Sequence, residues 1–219
     1  DNIRKAVGYV FTIHIPIAAA SLLAPLLGIS PTALMLLPLH VVLLEVLIDP
    51  TCSIVLERQP AEEDVMDRAP RDPKEKLLTG RLLGKSVLQG IFVFAASFGA
   101  YFVTLAGNSA NASEARAMGL AVIMLANLFL VQVNSSNHDF AYHSAKQLVK
   151  DRVMWAVNLG TLALLAIILY TPFSAYLKLA PLSGMQVLTA LGLAAASVLW
   201  YELVKLIRRL KSMRRKYVK

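Results

Sequence analysis

Glu45 and Asp49 are the two residues of this sequence whose type and spacing could do chemistry in an apolar setting. They stand four positions apart inside the run LLPLHVVLLEVLIDP. On a helix that spacing puts both carboxylates on one face, one turn apart. Two bare carboxylates in hydrocarbon repel each other and take up protons. A bound cation removes both penalties, so the pair reads as a cation-binding or proton-handling site. The plainer alternative is a protonated, hydrogen-bonded pair inside a bundle. Pro50 follows Asp49 directly. A proline inside a helix removes one backbone hydrogen bond, here freeing the carbonyl of Val46. Carboxylates beside a freed carbonyl suit a hard cation. Pro16 does the same for the carbonyl of Thr12 in an earlier apolar run. His14 lies beside it, at a depth matching that of Glu45, and reads as a cation ligand or as a donor supporting one. Asn127 is the deepest amide of a third run and the best ligand candidate there. Gln132 and Asn134 lie nearer the end of that run and read as interfacial. His40, nine residues before Asp49, falls on the opposite face and reads as packing or lipid-interface.

Such residues need apolar elements to hold them. The chain has 219 residues, 57% hydrophobic and 16% charged, where soluble domains average about 25% charged. Mean hydropathy is +0.59. These values exclude a disordered chain and an ordinary water-soluble enzyme. The single cysteine, Cys52, excludes an intrachain disulfide framework. A helix crosses a bilayer with about 20 mostly apolar residues. Six stretches qualify, at about 3–27, 34–56, 82–105, 115–134, 153–170 and 185–207. No run of alternating residues indicates a β-barrel. The first stretch is long, contains Pro16 and lacks a small-x-small end, so it is not a cleaved signal. Gly84, Gly90 and Gly99 are expected to let helices approach closely. The predicted fold class is an all-α membrane protein with six transmembrane helices.

Charge placement predicts the orientation. Of the 22 lysines and arginines, all but Arg116 and Lys178 fall before the first span, after the second or fourth, or in the tail. Positive residues favour the cytoplasmic side, so both termini are expected there. The basic tail reads as an anchor on anionic membrane lipids, and no nucleic-acid partner is expected. The 57–81 loop mixes both signs. It is a solvated loop or a docking surface for a cytoplasmic domain, with Asp64, Asp67, Arg68 and Arg71 as the contact residues. On the outer side, Asn111-Ala112-Ser113 fits a glycosylation acceptor.

The segments LLPLHVVLLEVLIDPTCSIVLE and EEDVMDRAPRDPKEKLL, with the opening DNIRKAVGYV, resemble the C-terminal membrane region of type II, calcium-pump-like P-type ATPases. The resemblance covers essentially the whole chain, as the last six of ten helices. It implies that Asp49 stands at the cation-binding aspartate of the sixth helix. Glu45 and His14 stand at positions usually held by asparagine. Ile17 and Asn127 stand where some members carry glutamate, which implies one cation site built on Asp49 and Glu45. The implied cargo is calcium by default; the histidine leaves room for a softer cation such as manganese, and magnesium, sodium and protons stay open. The implied partners are the cytoplasmic catalytic domains and first four helices of the same pump, with ATP and Mg2+ only in the full-length protein. The expected location is a bacterial plasma membrane. The phosphorylation, dephosphorylation and hinge motifs of such pumps do not occur in these residues. The expectation is therefore a fragment of a larger pump, unable to hydrolyse ATP alone. A secondary carrier or proton-coupled exchanger using the same carboxylates is the rival, although no internal repeat supports it. A non-catalytic membrane scaffold is the third reading.

Overall fold

The computed structural model describes residues 2–56, 78–135 and 152–217. Asp64, Asp67, Arg68 and Arg71 lie outside the described residues. The elements in chain order are α1 (Asn2–Leu26), α2 (Pro38–Pro50), a π-helical segment (Thr51–Leu56), α3 (Gly80–Leu105), a 3-10 turn (Ser109–Asn111), α4 (Ala112–Ser135), α5 (Arg152–Tyr170), the short α6 (Phe173–Tyr176) and α7 (Gly184–Tyr217). No strand occurs among the described residues. Six helical segments are long and apolar enough to cross a membrane, and they match the six predicted stretches.

Two boundaries differ from expectation. The second span begins at Pro38 rather than near 34. Leu37 is extended (φ −92°, ψ 157°), as the residue before a proline prefers, and Pro38 then opens the helix without needing an N–H partner. The last helix continues past its apolar window to Tyr217, so most of the basic tail is helical.

Helix α4 is the centre of the bundle. Its apolar window is 83% buried, against 28–44% for the other five. Helices α1, α3 and α7 pack around it, and α5 is peripheral. Two glycines set the α1–α3 contact. A Cβ on Gly90 would lie 2.8 Å from the Thr12 carbonyl oxygen and 2.7 Å from the Ile15 Cβ. The carbonyl that Pro16 frees therefore faces α3. A Cβ on Gly8 would lie 2.8 Å from Leu82 Cδ1, and the Ser86 hydroxyl donates to the Gly8 carbonyl at 2.8 Å. Gly84 and Gly99 do not play the predicted part, because nothing lies within 4 Å of a Cβ built on either. They sit on outward faces of α3, where a small residue answers to no neighbouring helix.

The end of the bundle carrying the 27–37 and 177–183 connectors is tied by side chains to backbone carbonyls. Arg116, at the start of α4, is buried. It donates to the Leu34 carbonyl at 2.7 Å, to the Lys178 carbonyl at 3.2 Å and to the Thr32 carbonyl. A buried guanidinium without such partners would be strongly unfavourable. The Tyr101 hydroxyl donates to the Ala33 carbonyl at 2.6 Å. Asn111 is half-buried and directs its Nδ2 at the Leu105 carbonyl, which engages the atom a glycan would need. At the opposite end, the buried Lys205 ammonium donates to the Val133 carbonyl at 2.8 Å and pairs with Glu202 at 2.9 Å. This fastens α7 to the last turn of α4, where a cation also meets the negative end of the helix dipole.

Candidate cation site

The site is assembled by α1 and α2. His14 lies midway along α1, and its Nε2 is 3.1 Å from Glu45 Oε1 on α2. Its Nδ1 is 2.8 Å from the Val10 carbonyl one turn back. A carbonyl only accepts, so Nδ1 carries a hydrogen. The Nε2–Oε1 contact then also needs a proton, on the imidazole facing a carboxylate or on the carboxyl facing a neutral imidazole. A hydrogen on either atom makes this contact a hydrogen bond.

Both side chains are part-exposed, His14 at 42% and Glu45 at 37%. Asp49 is exposed one turn further along the same face of α2. Val42 and Val46, each 60% exposed, share that face, and Phe11 and Leu22 flank His14 on α1. The polar groups thus open onto an outer face of the bundle, surrounded by apolar side chains. Pro50 ends the regular hydrogen-bond ladder below Asp49, and the backbone widens into the π-helical segment Thr51–Leu56. Such wide turns are frequent at functional sites. Among the described residues, no group of three or more His, Cys, Asp or Glu side chains converges as a metal cage.

Asn127 does not join this group in the structure. Its Oδ1, the atom that would face a cation, accepts the hydroxyl of Tyr9. Tyr9 and Asn127 are both buried. The Thr51 hydroxyl also lies within hydrogen-bonding reach of the Tyr9 phenol, and it donates to the Leu47 carbonyl at 2.7 Å. This polar junction links α1, α4 and the turn after α2. Sequence reading missed Tyr9 and Thr51. The available signal was that a phenol in an apolar helix needs a hydrogen-bond partner.

The remaining polar candidates lie elsewhere. Gln132 directs its Nε2 at Met154 Sδ of α5, 3.6 Å away. Asn134 donates to the Leu130 carbonyl within its own helix. His40 is fully buried and bonds two backbone groups, which selects the packing reading over the lipid-interface one.

Six membrane-length helices with a histidine–carboxylate pair at mid-span define an integral membrane protein with polar groups gathered inside its spans. Residues 33–207 match the family described as "Cation transporting ATPase, C-terminus", and the chain belongs to that family. It is 27% identical over 172 residues to a calcium-transporting ATPase of Bacillus subtilis (strain 168), covering 78% of this chain and 19% of that protein. It is 27% identical over 216 residues to calcium-transporting ATPase 1 of Lactococcus lactis, covering 95% of this chain and 23% of that protein. Over 110 residues it is 36% identical to the human sodium/potassium-transporting ATPase subunit alpha-4, covering 49% of this chain and 10% of that protein. The chain thus spans under a quarter of the length of these relatives. The resemblance read from residues 1–10, 36–57 and 62–78 holds: this is the C-terminal membrane region of a P-type cation-transporting ATPase.

Proposed function

We propose that residues 1–219 form most of the cation-binding and translocation site of an ATP-driven pump. The proposed cargo is calcium or another divalent ion such as manganese. Asp49 is the essential ligand, Glu45 the second carboxylate, and His14 the group that exchanges places with the ion. The observation that carries this reading is the His14–Glu45 contact at mid-span, with Asp49 one turn away on the same open face. Three such side chains in a bilayer are expensive unless they serve a polar cargo or one another. The carbonyl of Val46, released by Pro50, lies between the two carboxylates in sequence and supplies a neutral oxygen of the kind hard cations accept. A cation binding at Glu45 displaces the proton shared with His14, and that proton leaves to solvent as the ion enters.

The open α1–α2 face is the natural seat for earlier helices of the same polypeptide, which would complete the coordination sphere. Cytoplasmic domains carrying ATP and Mg2+ would drive alternating access through α1 and through the segment 57–81. Charge placement supports cytoplasmic termini, in a bacterial plasma membrane. Calorimetric titration of the purified protein with calcium, manganese and magnesium tests the reading, with Glu45→Gln and Asp49→Asn alongside. Saturable binding lost in both variants supports it and names the ion. Binding unchanged in both sinks it. One observation favours a second reading: a histidine–carboxylate contact at mid-span is what a proton-coupled exchanger would use. Proton flux without any metal dependence would select that alternative.

A further inference from the structure

His40 lies one and a half turns before Glu45 on α2 and is fully buried. Its ring lies against backbone groups of Leu37, Leu177 and Met35. The Leu37 N–H donates to Nδ1 at 3.2 Å, so Nδ1 carries no hydrogen. Nε2 therefore carries it and donates to the Leu177 carbonyl at 2.8 Å. One neutral ring thus caps the first turn of α2 and ties that turn to the connector between α6 and α7. The nearest other ties act on different segments. Arg116 and Tyr101 hold the carbonyls of Thr32, Ala33 and Leu34 in the connector before α2, and Arg116 also holds Lys178 beside Leu177, but neither bonds α2 itself. The junction at Tyr9 and Thr51 lies beyond Pro50.

The stretch between these ties is packed on one face only, with Leu44, Leu47 and Ile48 buried and Val42, Val46 and Asp49 exposed. At 1.5 Å per residue, Glu45 lies about 7.5 Å and Asp49 about 13.5 Å beyond His40 along the helix. Over that distance the hydrogen-bonded ladder is rigid. At the far end Pro50 and the π-helical turns weaken it. The height and rotation of both carboxylates are therefore set from the His40 end together with the buried face of Leu44, Leu47 and Ile48.

We propose that His40 is a positioning residue for the cation site: through Leu177 it holds α2 so that Glu45 and Asp49 present a preformed pair, and it couples the 177–183 connector to cation affinity. This rests on the reading of Glu45 and Asp49 as ligands. The test uses the full-length transporter in membranes, with calcium and manganese each as the probe in equilibrium binding. His40→Leu, His40→Gln, Tyr101→Phe and Asp49→Asn are compared with the wild type. Glutamine can accept from Leu37 and donate to Leu177, whereas leucine does neither. The expected result is a five- to tenfold rise in half-saturating concentration for His40→Leu, on the order of losing one or two hydrogen bonds, with the maximum unchanged. His40→Gln returns to within about twofold of the wild type. Tyr101→Phe lowers the melting temperature and leaves affinity unchanged, which separates positioning from general stability. If His40→Leu fails to fold, His40→Ala takes its place. Wild-type affinity in the leucine variant, no rescue by glutamine, or an equal loss in Tyr101→Phe overturns the proposal. Loss of binding in Asp49→Asn with wild-type affinity in His40→Leu overturns it alone. Unchanged binding in Asp49→Asn, or none in the wild type, overturns the ligand reading and this proposal together.

Discussion

The hydroxyl of Tyr9 donates a hydrogen bond to Oδ1 of Asn127, joining α1 to α4 inside the bundle. Both residues are buried, so water does not compensate for the loss of either. Tyr9→Phe and Asn127→Ala should each destabilise the protein by about 1–2 kcal/mol. The double variant should fall well short of the sum, because both changes remove the same bond. Thermal unfolding in detergent checks this. Asn127→Ala should retain cation affinity, and a loss as deep as that of Asp49→Asn would return Asn127 to the ligand set.

The displacement proposed at the His14–Glu45 contact has a measurable stoichiometry. Cation binding to the wild-type protein should release about one proton from this pair. Replacing His14 with alanine should change that release, because the contact proposed to hold the displaced proton is gone. Titrations in buffers of different ionisation enthalpy report the difference. An unchanged proton count in His14→Ala argues against displacement at this contact.

Asp49→Asn should abolish cation-dependent phosphorylation in the full-length protein, while Glu45→Gln should weaken it. The two differ because Asp49 is the proposed essential ligand, whereas Glu45 already leans on His14. Phosphoenzyme formation against cation concentration checks both. Normal cation dependence in Asp49→Asn would remove the central assignment.

Gly90→Ala should loosen the α1–α3 contact by about 1–3 kcal/mol, the range for overpacking a close interface. The added Cβ would press on the Thr12 carbonyl, which is backbone and cannot swing aside. Gly84→Ala and Gly99→Ala should be neutral or slightly stabilising, since each favours the helix and meets nothing. Melting temperatures of the three variants decide this.

Much of the architecture is legible in the sequence, because bilayer-length apolar runs carry their own signal. The pairing of His14 with Glu45 is legible too, through matched depth in neighbouring helices. Asn127 shows where that reasoning runs out. Its depth suits a ligand, but depth says nothing about which neighbour its amide turns to. His40 hides in the same way, since its partners are backbone groups at Leu37 and Leu177 that any residue type would offer. Gly90, Gly84 and Gly99 share one helix and one identity. Only the rotation of α3 against α1, which depends on packing from several helices, separates the first from the other two.

Helix α7 has 34 residues, a length of about 51 Å, against a hydrocarbon layer of about 30 Å. Its apolar window ends at Ile207, which leaves ten residues, about 15 Å, as a stiff rod beyond the span. Lys205 grips the rod where it emerges, by its bond to α4. A small tilt of the central helix would therefore swing the far tip through a wider arc, so rearrangements deep in the bilayer would register at its surface as the movement of a pointer.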